Sequence, residues 1–449
     1  MNKKSTARDM TEGPIIKQML LFTIPLLFGN IFQLLYNTVD TLVVGNFVGT
    51  QALAAVGSTT MIINIMVFFF NGLSTGASVL IGQSYGAKDL KKLHISVETT
   101  MAMTFLLGII FTIVGVSFVK PMLNFMSTPA DVMPEATTYL KIYFAGISGL
   151  MIYNMGSGIL RAVGDTKRPL YFLIFTSVLN IVLDLFFVIV MHMGIAGVAI
   201  ATIVSQFISA ILVMRLLLTT NDIYKMTIKD LRLDKTMFGK ILAVGLPAGI
   251  QSMLTSFSNV FVQSYVNSFG SACMAGWSCY NKLDAFIYLP MQSMSVAATT
   301  FVSQNVGANK PDRVRKGTFN AIALTELITG AIIVAIMIFA YPASRLFTQD
   351  EAVLKYAVLF IRNNTLFLLC NCVNQVLAGA LRGRGDSKGP MIIMLSTFVV
   401  TRQIYLYIAT HFFANTAAVV GFGYPVGWAA CMILEVGYYI IRYARNTDA

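Results

Sequence analysis

Twelve times along its 449 residues the chain runs through a mostly apolar segment about 20 residues long or more, enough for a helix to cross a hydrocarbon core. The segments span 15–44, 52–83, 94–118, 136–160, 170–192 and 194–217, then 241–266, 273–303, 317–341, 355–381, 391–413 and 419–441. Inside a bilayer each backbone amide must find its partner within the segment, so these stretches are read as α-helices. The composition agrees: 56% of residues are hydrophobic and 12% are charged, about half the charge of a soluble domain. An all-α integral membrane protein is expected. The run after Lys3, Lys4 and Arg8 is too long for a signal peptide and ends in no small-residue cleavage site, so it is expected to remain as the first crossing.

Lysine and arginine positions set the orientation. With the N-terminus inside, 25 of the 32 basic residues fall on inner segments: the N-terminal tail, 86–92, 161–169, 215–240, 307–316, 382–388 and the C-terminal tail. Both termini are therefore expected in the cytoplasm, with the protein in the plasma (inner) membrane. The same asymmetry explains the net charge of +12 as a topology signal facing anionic headgroups, and removes nucleic acid as a partner.

The chain also repeats itself. Gly-Ile-Leu-Arg-Ala-Val-Gly-Asp-Thr-Lys-Arg-Pro at 158–169 returns as Gly-Ala-Leu-Arg-Gly-Arg-Gly-Asp-Ser-Lys-Gly-Pro at 379–390, an offset of 221. That offset also maps Gln83, Gly86 and Ala87 onto Gln304, Gly307 and Ala308, and Gly49 onto Gly270. Pro25 and Pro247 miss it by one residue. Six crossings per repeat give both halves one orientation, so two parallel six-helix lobes about an axis along the membrane normal are expected. The spans are 1–217 for the N-lobe, 218–240 for a cytoplasmic linker and 241–449 for the C-lobe. This is the plan of secondary transporters that alternate access. The repeated Gly-Asp-[Thr/Ser]-Lys loops could bind phosphate. A structural role is preferred, with Gly164 and Gly385 ending helices and Pro169 and Pro390 opening the next.

Chemistry concentrates in the first lobe. Asn30, Gln33, Asn37 and Asp40 share one helical face, with Tyr36 between them. A carboxylate at membrane depth costs several kcal/mol unless paired, protonated or wet, so this face is read as an ion or substrate path rather than as a polar seam between helices. Asp184, with Asn180 one turn before it, falls at a similar depth in the outer half, as do Thr202 and Tyr139. Two carboxylates in a partly dry pocket cannot both ionise freely, so one is expected to hold a proton. Oxygens from Asp40, Asn180, Asp184 and Thr202 could instead surround sodium. Both ions stay open.

In the second lobe Val262 or its neighbour stands where Asp40 would be. Its membrane charges are Lys282, Asp284, Glu326, Arg362, Arg402 and Glu435, expected to neutralise one another between helices. If unpaired, Arg362 and Arg402 would instead suit an anionic ligand. His94, His192 and His411 form no ligand cluster, and the five cysteines lack metal spacing. No nucleotide-phosphate loop, zinc helix or nucleophile elbow is present, so neither ATP drive nor an enzyme is expected.

Pro25 with Asp40, the run Leu53-Ala-Ala-Val-Gly57, the turn Gly-Gln-x-Tyr-Gly-Ala-Lys at 82–88 and the duplicated loops resemble the multidrug and toxic compound extrusion (MATE) family over residues 13 to 442. The resemblance implies antiport without a cofactor: H+ or Na+ enters while a small organic, often cationic and amphipathic, compound leaves. It implies a cation site in the first lobe at Asp40, Asn180, Asp184, Thr202 and Tyr139, with Asn154 added from the family pattern, and bending of helix one at Pro25. Gln33, Asn37, Asn30 and Tyr36 are assigned to the substrate cavity. A monomer is expected. The alternatives are a flippase for a lipid-linked precursor, which would expose Lys282, Arg362 and Arg402, and a non-transporting receptor or scaffold.

Overall fold

The computed structural model describes residues 7–126 and 128–444, so Lys3 and Lys4 lie outside the described residues. The chain is helical throughout its apolar segments. The first half forms α1 (Ile15–Val43), α2 (Thr50–Gly86), α3 (Leu90–Phe125), α4 (Met133–Ala145), α5 (Ile147–Ala162), α6 (Lys167–Leu185) and α7 (Gly194–Thr219). A linker with one 3-10 turn (Ile228–Asp230) leads to α8 (Lys235–Asn267), α9 (Ser271–Gly307), α10 (Pro311–Ile338), the short α11 (Ala340–Arg345), α12 (Glu351–Asn364) and α13 (Leu368–Gly383). Then follow α14 (Lys388–Met394), α15 (Arg402–Ile408), the short α16 (Ala417–Gly421) and α17 (Gly423–Tyr439).

Among the described residues eleven helical runs are long and apolar enough to cross a membrane. The twelfth expected crossing, 136–160, is two shorter helices, α4 and α5. They meet at Gly146, whose amide is shared between the carbonyls of Ile142 and Tyr143. Two compact units result, one built on Ile24–Leu246 and the other on Met10–Thr23 with the chain from Pro247 on. The two helices that change unit partway, α1 and α8, do so beside Pro25 and at Pro247. A proline inside a helix removes a backbone hydrogen bond, which is where a helix bends most cheaply.

The sequence repeat is also a packing repeat. Ser74 and Ser78 of α2 donate to the carbonyls of Asn154 and Gly158 on α5; Ser295 and Thr299 of α9 donate to those of Gln375 and Gly379 on α13. All four pairs are 80 residues apart. A Cβ on Gly158 would lie 2.4 Å from the Ser74 Oγ, and one on Gly379 would lie 2.5 Å from the Ser295 carbonyl oxygen. Helices in lipid gain little from burial against one another, so such small-residue contacts and hydroxyl bonds do the holding.

The repeated loops are helix punctuation. Gly164 and Gly385 take φ of 84° and 90°. Their amides bond to Arg161 and Arg382, and the next amides to Leu160 and Leu381, closing α5 and α13 in Schellman turns. Asp165 and Asp386 then accept from the amides of Arg168 and Gly389, in the first turns of α6 and α14. The structural role preferred from sequence accounts for these contacts.

One-residue slips in the repeat have a visible cause. A π turn, Val44–Val48, follows α1, whereas α8 runs straight on to its end. A π turn holds one extra residue, so the offset falls from 222 at Pro25 and Pro247 to 221 at Gly49 and Gly270. In the second lobe a π turn at Leu395–Thr401 separates α14 from α15, while α6 is regular. The offset therefore returns to 222 beyond it. Val262 thus stands opposite Asp40, Ser258 opposite Tyr36, Leu406 opposite Asp184, and Arg402 opposite Asn180.

Candidate functional site

The first unit draws its acids together. Asp40, near the C-terminal end of α1, and Asp184, in the last turn of α6, lie close to each other. Asp184 has no exposed surface, and neither of its oxygens has a hydrogen-bond donor; one oxygen of Asp40 is likewise buried without a donor. Each acid is followed by a π turn, Val44–Val48 after Asp40 and Phe186–Val190 after Asp184.

Tyrosines close the pocket. Tyr36, one turn before Asp40, and Tyr139 of α4 lie beside both carboxyls, with Tyr143 next to them. The rings of Tyr139 and Tyr143 stack with centroids 6.3 Å apart, and Gln206 of α7 lies near Tyr143. A polar seam runs down α6 and α7 from the acids. The Ser209 hydroxyl donates to that of Thr176 at 2.9 Å. The helices are antiparallel, so one turn along each brings Asn180 opposite Ser205, and the next brings Asp184 level with Thr202. Asn180, 2% exposed, has neither side-chain atom bonded, and the Ser205 hydroxyl is unpartnered too. Thr202 donates to the carbonyl of Val198 on its own helix, leaving its oxygen lone pairs available.

The structure thus brings Asp40, Asp184, Tyr36 and Tyr139 into one cluster, with Asn180 and Thr202 following along α6 and α7. Asn154 enters the packing through its carbonyl, which accepts from Ser74. On α1 Gln33 and Asn37 are exposed, while Asn30 is half-buried. Pro25 stands at the base of the α1 segment that carries Asp40. Sequence reasoning missed Tyr143, Gln206, Ser205 and the Thr176–Ser209 bond. The helical step of four, from Tyr139 to Tyr143 and from Asn180 to Thr176, could have found two of them.

The charges of the second unit do not pair as expected. Among the described residues none of Lys282, Asp284, Glu326, Arg362, Arg402 and Glu435 lies in an ion pair within 4.0 Å of another. Lys282 lies over the Phe347 ring, and Glu435 faces Arg382 instead. These charges sit on five different helices, and sequence spacing alone does not register which of those face each other.

Comparison with known proteins follows the same outline. The MatE family model matches twice, over 25–186 and 247–408, starting at each helix proline. The probable multidrug resistance proteins YoeA and YpnP of Bacillus subtilis (strain 168) are each 31% identical. The matches cover 96% of this chain and 94% of YoeA, and 98% of this chain and 97% of YpnP. The structure described as the outward-facing conformation of a multidrug resistance MATE family transporter of the MOP superfamily superposes with a TM-score of 0.93, at 23% identity and full coverage of both chains. A MOP superfamily transporter from Pyrococcus furiosus, whose binding pocket is described as having reverse polarity, gives 0.92 at 24% identity and 99% coverage of each. The fold is that of the twelve-helix, two-lobe transporters, and the chain belongs to the MatE family.

Proposed function

We propose that the protein is a secondary antiporter that exports organic, cationic amphipathic compounds in exchange for a cation, and that Asp40 and Asp184 hold that cation. The reading extends to this chain what the names of its relatives say of them, multidrug resistance and export. One observation carries it: the fully buried carboxyl of Asp184 and the half-buried one of Asp40 lie together in the first lobe, with no basic side chain paired to either among the described residues.

Ionised together, two carboxylates about 4 Å apart repel by roughly 4 kcal/mol at an effective dielectric near 20. Coupling between ligand sites typically amounts to about 1–3 kcal/mol, so that repulsion suffices to move a helix. Uptake of one proton lets one carboxyl donate to the other and draws α1 toward α6. Loss of the proton pushes the outer part of α1 away, bending at Pro25. An organic cation relieves the same repulsion from outside the pair, so proton and substrate compete for one arrangement of α1. Sodium is the second reading. It is favoured by the unpartnered amide of Asn180 and the free lone pairs of Thr202, which with both acids supply oxygen ligands.

The test is efflux of a fluorescent organic cation from proteoliposomes under separate pH and sodium gradients. A gradient-driven rate that falls to the leak rate in Asp40→Asn or Asp184→Asn supports the reading. Full coupled transport in both variants refutes it.

A further inference from the structure

The second lobe carries a buried charge that transport through the first lobe leaves unused. Arg402, in the first turn of α15, is 3% exposed, deep within its lobe. A guanidinium does not give up its proton in proteins, so the charge cannot be shed as a carboxyl sheds its own. Among the described residues no carboxylate lies within 4.0 Å of it. One terminal nitrogen donates to the Ser258 hydroxyl of α8, and the plane lies over the Tyr424 ring of α17 with 4.6 Å to the centroid. The Nε is buried without an acceptor. Gln403 also donates to Ser258, so the hydroxyl that anchors the guanidinium is itself held.

Position makes the charge informative. Arg402 stands opposite Asn180 in the repeat, and its anchor Ser258 stands opposite Tyr36, a member of the acid pocket. Val262 and Leu406, both fully buried, replace the two acids. The pocket that is acidic in one lobe is cationic in the other. Fold alone does not demand this, because the first lobe builds the same crossing with a neutral residue. Asp284 lies in the same neighbourhood, close to Tyr424 and beside the Tyr280 hydroxyl. Tyr424, Gln403 and Asp284 are half-buried, so the cluster is not sealed.

We propose that Arg402, held by Ser258 and Tyr424, is a receptor for the anionic head, a phosphate or carboxylate, of an amphipathic molecule. Its planar donors suit two oxygens at once, and the half-buried Tyr424 ring beside it offers apolar surface to the attached tail. The site is independent of the coupling proposed for Asp40 and Asp184. Its ligand can be a transported solute or a bilayer lipid, since both offer the same head.

The chain has two tryptophans, and both pack on Tyr424: the Trp277 ring at 5.5 Å and the Trp428 ring at 5.6 Å between centroids. Intrinsic fluorescence therefore reads this cluster. Full-length protein in neutral phosphatidylcholine nanodiscs is titrated with dodecyl phosphate and, separately, with dodecyltrimethylammonium. A saturable change with the phosphate is expected, at least about tenfold weaker with the cation and in Arg402→Gln, and weakened less in Arg402→Lys, which keeps the charge but not the planar fork. Nanodiscs containing phosphatidic acid separate the sources: loss of the response there assigns the site to a lipid head, and its persistence assigns it to a solute. Equal responses to the two amphiphiles in the wild type, or an unchanged response in Arg402→Gln, overturn the proposal. The wild-type comparison stands even if the variant does not accumulate.

Discussion

The two lobes answer one structural problem in opposite ways. Each places a polar group at the same height on the crossing after its Gly-Asp loop, Asn180 in the first and Arg402 in the second. Along the crossing from Asn180 the first lobe gathers two carboxyls, whose charge depends on what they bind, with three tyrosines beside them. Around Arg402 the second lobe gathers a serine, a tyrosine ring and aliphatic walls, which fix a permanent charge. Duplication supplied the frame twice, through the Ser–Gly contacts and the Schellman turns. Replacement at four positions then left one lobe with titratable carboxyls and the other with a charge that does not titrate.

The comparison breaks most visibly at the acids. Asp40→Asn or Asp184→Asn is expected to lower ion-driven efflux by about tenfold or more, the range of a coupling energy of 1–3 kcal/mol. Val262→Ala and Leu406→Ala, at the matching places of the second lobe, should leave the dependence on the ion gradient intact. Vesicle efflux measures both.

The shared frame predicts equal responses. Gly158→Leu and Gly379→Leu each force a side chain into a contact under 3 Å with the neighbouring helix. Each should destabilise the detergent-solubilised protein by about 1–3 kcal/mol or more, read as a lower midpoint of thermal unfolding. A large loss in one lobe and none in the other would break the packing equivalence.

Pro25 and Pro247 sharpen the contrast in motion. Pro25→Ala restores a backbone hydrogen bond below Asp40 and is expected to slow coupled efflux several-fold. Pro247→Ala, below Val262, should slow it less, because no carboxyl pair drives that helix. The smallest effects belong to the loops. Asp165→Ala and Asp386→Ala each remove a cap on the following helix, for about 1 kcal/mol apiece in unfolding midpoint. Both should cost more than a bare cap, since Asp165 also pairs with Arg168 at 3.4 Å and Asp386 also accepts from Tyr438 and Tyr443.

Much of this could be read from the residues. Helix lengths gave the crossings, and the loop at 158–169 with its copy at 379–390 gave two parallel halves. The acids of α1 and α6 stood out because carboxyls are rare in apolar runs. What stayed hidden is physical in origin. A π turn has no side-chain signature, so the slip at Val44–Val48 and its partner at Leu395–Thr401 concealed that Arg402 matches Asn180. The break between α4 and α5 was invisible because Gly146 sits inside an unbroken apolar segment. Charges on different helices, such as Glu326 and Arg402, invited pairing by type. Which helices face each other decides it, and that emerges only in three dimensions.

The account turns on the claim that substrate and coupling ion compete at the Asp40–Asp184 pair. The most direct measurement is proton release on adding ethidium, an organic cation, to purified protein in weakly buffered solution containing a pH dye. The proton reading predicts release of about one proton per protein in the wild type, lost in Asp40→Asn and in Asp184→Asn. Binding that releases no proton and is unaffected by sodium, or release that survives in both variants, would contradict it.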